Sequence, residues 1–173
     1  MTAKPTDPLL ATARILLAII LGFMGLGIAA TTIAIPAVLI ARAQVLAELA
    51  KEGVPPEALG AIVVILALAA GACALGFLFF RNLYRIVSTV GEGDPFVPVN
   101  ATRLAAMGWI VVAFHALSIP LVGVVKWLDG VMEKAHSDAS VSFSGLLLAL
   151  VLFILARVFR EGTRMRDEVE GTV

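Results

Sequence analysis

The sequence predicts an all-α integral membrane protein, a four-helix bundle running up-down-up-down with both termini in the cytoplasm. Three observations carry this. Of the 173 residues, 60% are hydrophobic and only 15% are charged, against roughly 45–50% and about 25% in soluble domains. A fold this small leaves too much of its surface uncovered to hide such an excess. Charged residues bracket four apolar runs, at 15–41, 58–80, 104–125 and 139–156, the shortest of 18 residues. About 20 residues at 1.5 Å rise cross a hydrocarbon core about 30 Å thick. Lipid cannot satisfy backbone polar groups, and the runs lack the alternation of barrel strands, so helix is the conformation that fits. Basic residues supply the third observation. Lys4, Arg14, Arg81, Arg85, Arg103, Arg157, Arg160, Arg164 and Arg166 fall on one side of the predicted membrane. Only Arg42, Lys51, Lys126 and Lys134 fall on the other. The positive-inside rule places the richer side in the cytoplasm.

The chain reads as a single membrane domain over 1–173, with helices at about 9–50, 57–90, 100–127 and 140–168. The first run is too long for the roughly 7–15-residue apolar core of a secretory signal, so it is a retained anchor. Residues 42–57 extend this helix through Val45, Leu46 and Leu49 and stop at Gly53, Pro55 and Pro56. Helix association in lipid depends on close backbone approach, so small residues four apart mark contact faces. Ala18 and Gly22, with Gly25 and Gly27 nearby, Ala67 and Gly71, Ala72 and Gly76, and Gly145 and Ala149 provide such positions. They serve either packing within one bundle or a homo-oligomer interface. Trp127 suits an interfacial anchor.

The cytoplasmic loop at 81–103 and the tail at 157–173 hold the most distinctive residues. Leu83, Ile86, Val87 and Val90 keep helical spacing past Arg81, and Gly91-Glu-Gly-Asp-Pro-Phe then breaks the helix. Asn100 is placed to cap the next helix by accepting a backbone N–H. In the tail, Arg164 is spaced to pair with Asp167 or Glu168, and Arg166 with Glu170. The tail is either a solvated helix end or a docking surface.

The stretch Gly93-Asp94-Pro95-Phe96, with Asn100, Arg103, Leu104 and Gly108-Trp109, resembles a family of uncharacterised bacterial membrane proteins. The ending Val158-Phe159-Arg160-Glu161-Gly162, with its acidic run and closing Thr172-Val173, is similar to that family's C-terminus. The resemblance implies four membrane helices and a domain of unknown function in the bacterial inner (plasma) membrane. It also implies a possible cytosolic partner, because the family's genes often adjoin one for a small Xre-type helix-turn-helix regulator.

Searches for catalytic chemistry yield little. Gly91-Glu92-Gly93-Asp94 fits the Gly-x-Gly-Asp pattern of presenilin-like proteases. That chemistry needs a second aspartate, and none lies within the apolar runs. His115 is the ionisable group well inside a run, with Ser118 and Pro120 nearby. It serves either as a proton relay or ligand contact, or as a neutral histidine bonded to a neighbouring helix. No zinc helix, nucleophile elbow or phosphate loop is present. Cys73 is the single cysteine, so neither an internal disulfide nor a cysteine metal site is available. The balanced charge points away from direct nucleic-acid binding. The expected function is therefore not enzymatic and uses no cofactor. It is a bilayer-anchored binding or regulatory protein, with a small oligomeric transporter or channel as the alternative.

Overall fold

A computed structural model describes residues 8–91, 93, 95–131 and 144–170, apart from the side chains of Asp167, Val169 and Glu170. The described residues form helices joined by turns, with no strand among them. Five helices follow in order: α1 (Pro8–Ile40), α2 (Arg42–Lys51), α3 (Ala58–Gly91), α4 (Pro98–Val131) and α5 (Ser144–Glu170). The helix expected over 9–50 is divided at Ala41. The division falls where the first apolar run ends, beside its first charge, Arg42. The short, amphipathic α2 then closes on a left-handed Gly53 (φ 71°), with Gly53 N–H donating to Ala50 O and Val54 N–H to Leu49 O. Those two bonds satisfy carbonyls that a helix C-terminus otherwise leaves open.

Three helices are long and apolar enough to cross a membrane: α1, α3 and α4, of 33, 34 and 34 residues. At 1.5 Å per residue each is about 50 Å long, more than the hydrocarbon core requires. In α5 the uncharged stretch covers residues 144–156 before Arg157, about 20 Å of helix. The remainder of the fourth predicted run, 139–143, lies outside the described residues.

The long helices pack in a row. α1 lies on α3, α3 on α4, and α4 on α5, and no Cα of α5 comes within 8 Å of α1 or α3. Neighbours are antiparallel, since residues early in one helix meet residues late in the next. Glycines set the seams. A Cβ on Gly27 would lie 2.9 Å from Cys73 Sγ, and one on Gly76 would lie 3.1 Å from Met24 Sδ. Gly71 faces Leu117 between α3 and α4, and Gly108 faces the Phe153 ring between α4 and α5. A Cβ on Gly22 or Gly25 would meet no neighbouring helix within 4 Å.

Burial is concentrated at one end. Ile86, Leu104, Met107, Leu152 and Ala156 form the core cluster, with Phe79, Leu83, Val90 and Phe159 packed against it. Elsewhere large apolar side chains such as Phe23, Leu26, Ile33 and Leu147 are exposed.

Candidate functional site

The end of α3, the start of α4 and the second half of α5 converge above that core. Gly93, in the turn just past α3, has φ at 96°, a left-handed geometry that suits glycine, and its N–H donates to Val90 O. Asp94 lies outside the described residues. Pro98 opens α4, where its missing N–H costs nothing and its fixed φ already fits the helix. Asn100 therefore sits inside the first turn rather than ahead of it, which corrects its expected role as a cap. Its fully buried amide donates to Thr89 Oγ1 (2.8 Å) and to Pro95 O (3.0 Å). Its carbonyl oxygen accepts from Arg103 Nη1 (3.0 Å), which also donates to Arg85 O (3.3 Å). One side chain thus ties together α3, the turn and α4.

The same turn is fastened to α5. The Phe96 ring lies 5.4 Å from that of Phe159. Gly162 makes room for it, because a Cβ there would come within 2.9 Å of the Phe96 ring. The Thr163 hydroxyl, itself buried, lies 3.1 Å from Phe96 O and 2.9 Å from Phe159 O, and its single proton is shared between them. Arg160 points outward, exposed. Arg164 pairs with Glu161 and approaches Glu168 at 3.8 Å. Asp167 and Glu170, its own and Arg166's expected partners, have side chains outside the described residues. Exposed pairs of this kind contribute little stability.

The start of α1 reaches the same end. Arg14 donates from Nη2 to Ser88 O (3.0 Å), and its guanidinium lies across Gly91, where any Cβ would collide with it. A cation over the closing carbonyls of α3 is favoured by the helix dipole. Its Nε is buried with no hydrogen-bond partner among the described residues.

His115 stands apart, fifteen residues along α4 from Asn100, about 20 Å away. Its Nδ1 is 3.0 Å from Val111 O, one turn back, a distance at which Nδ1–H donates to that carbonyl. The ring presses on Gly145 so closely that no side chain fits there. It edges an apolar hollow of about 240 Å³ between α3, α4 and α5, walled by Phe79, Phe80, Phe114 and Leu148. Among the described residues no group of three His, Cys, Asp or Glu is placed to hold a metal ion.

A family model described as a protein of unknown function, DUF2975, matches residues 40–173. The chain belongs to the DUF2975 family. No curated protein and no solved structure matches it.

The DUF2975 region contains every residue of the joint except Arg14. Of the described positions behind the resemblance, Pro95, Phe96, Asn100, Arg103, Phe159 and Gly162 meet there directly, whereas His115 does not take part. Three contributors escaped the sequence reading: Arg14, Thr89 and Thr163. Arg14 had one available signal, a lone charge bordering an apolar run opposite a glycine-ended helix. A threonine at a helix end gives no such sign of a distant partner.

Proposed function

We propose that this DUF2975 protein is a four-span protein of the bacterial inner membrane with both ends in the cytoplasm, and that its loop and tail form one platform for a cytosolic protein partner. A small Xre-type helix-turn-helix regulator is the partner implied by the family resemblance. The observation that carries the reading is the joint itself. Phe96 on Phe159, with Thr163 between their carbonyls, makes one rigid surface from segments more than sixty residues apart. Preorganisation of that kind lowers the ordering cost of binding. Around it Arg160 and the Glu161–Arg164 ion pair are exposed, within reach of a polar partner.

Support for the membrane placement comes from α1, α3 and α4, and from large apolar side chains left uncovered along their length, as lipid-facing positions must be. The fourth crossing draws on the apolar part of α5 and residues 139–143. A cytoplasm-dependent reporter fused after Val173 is expected to be active. A silent fusion beside a working control would reverse the orientation.

The partner is tested by co-purifying the protein with a small Xre-type helix-turn-helix regulator of the kind the family resemblance implies. Arg164→Glu, which reverses an exposed charge, is expected to reduce recovery of the regulator at least tenfold without changing membrane insertion. Removal of residues 157–173 is expected to abolish membrane recruitment of the regulator. Undiminished recruitment in both variants would sink the platform.

A further inference from the structure

The outer face of α4 and α5, which adjoins the joint and shares Arg160 and Glu161 with its surroundings, carries a second feature. A cleft of about 490 Å³ runs between the helices, lined by Ala105 on α4 and by Phe153, Ala156, Arg157, Arg160 and Glu161 on α5. Its form follows from side-chain size. Ala105 and Ala156 are small and leave the space open, and Gly108 lets Phe153 lie close against α4. Trp109, one turn below Ala105, stacks edge-on against Phe153 at 5.4 Å and is 66% exposed. The floor is therefore apolar and aromatic.

The mouth is cationic. Arg157 is the first charge after the apolar part of α5, and Arg160 follows one turn later on the same side. Both are exposed, and neither has an ion-pair partner among the described residues. Glu161, the acidic group at the rim, is engaged by Arg164, so it does not neutralise the pair. An apolar slot leading up to two guanidinium groups matches an amphiphile with an acyl chain below and an anionic oxygen cluster above. Guanidinium forks suit phosphate oxygens in geometry as well as charge. Basic pockets between membrane helices on the cytoplasmic side are where such headgroups bind.

We infer that this cleft binds an anionic phospholipid, its phosphate held by Arg157 and Arg160 and one acyl chain lying along Ala105, Phe153 and Trp109. The inference rests on the chain's placement in a bilayer. About 1 kcal/mol for each basic residue near the surface corresponds to a roughly 30-fold preference over a zwitterionic lipid.

The chain has two tryptophans, and Trp109 is a built-in reporter. The full-length protein carrying Trp127→Phe is reconstituted in phosphatidylcholine bilayers containing either brominated phosphatidylglycerol or brominated phosphatidylcholine, and quenching of Trp109 gives the relative affinity. Preferential quenching by phosphatidylglycerol is expected, falling to near parity in Arg157→Gln/Arg160→Gln. Ala105→Leu, which fills the slot and keeps both charges, is expected to erode the preference as well. Equal quenching by both lipids overturns the site while leaving the membrane placement intact. A preference that persists in both variants also overturns it. Displacement by excess inorganic phosphate at constant ionic strength would assign the arginines to a free anion and overturn the lipid. The Trp109→Phe protein, reporting through Trp127, separates the remaining outcomes. Quenching of Trp127 with none at Trp109 means that protein, such as a second copy, covers the cleft. Quenching of neither removes the membrane placement as well.

Discussion

Asn100→Ala is expected to destabilise the folded protein by about 2–3 kcal/mol, the cost of leaving buried polar groups without partners. The substitution strips donors from Thr89 Oγ1 and Pro95 O and removes the acceptor for Arg103. All of this happens at a fully buried position, where water cannot readily replace what is lost. Thermal unfolding in detergent, followed by circular dichroism, measures it. Thr89→Ala removes one of those contacts and is expected to cost less. The double variant should cost less than the sum of the two, because both changes break the same bond. A midpoint unchanged in Asn100→Ala would mean that the joint is not held by this side chain.

The second large effect is expected at Gly108. A Cβ there would lie 2.8 to 3.1 Å from three atoms of the Phe153 ring, and a leucine adds three more carbons in the same direction. Overfilling a packed seam costs about 1–3 kcal/mol. Here the upper part of that range is expected, because the ring is itself stacked against Trp109. Gly108→Leu should therefore lower the unfolding midpoint and shift Trp109 fluorescence as the α4–α5 seam opens. Gly22→Leu provides the comparison. A Cβ on Gly22 would meet no neighbouring helix within 4 Å, so that substitution should stay within about 0.5 kcal/mol of the parent. Equal effects at the two glycines would contradict the seam described for α4 and α5.

Much of this was legible in the sequence. Apolar runs bracketed by charge announce long helices because hydrocarbon leaves the backbone no other option, and α1, α3 and α4 follow from that alone. Glycine spacing pointed to Gly27, Gly71 and Gly76 as contact positions, and each does face a neighbouring helix. It equally pointed to Gly22 and Gly25, which face nothing. Spacing identifies a face of a helix but not what lies opposite. Gly108 was noticed only as part of the resemblance, since its partner is an aromatic ring rather than another small residue. Asn100 shows a different limit. The residue type and its nearness to a turn were read correctly as helix-start chemistry. Pro98, two residues earlier, had already taken the opening position, so the amide was free to turn back toward α3. The meeting of Phe96 with Phe159 and Gly162 could not be deduced from periodicity, because it depends on where two helices end in space.

A row of helices has a consequence for the order in which the molecule is made. In a closed ring, the first helix synthesised must wait for the last before its second flank is covered. Here each seam needs only the helix that preceded it in the row: α3 docks on α1, α4 on α3, and α5 on α4. Assembly can keep pace with translation, one hairpin at a time, through contacts of short loop separation that close quickly. The latest of these contacts is the arrival of Phe159 and Thr163 at the Phe96 turn, so this fastening reports that α5 has docked on the helices before it.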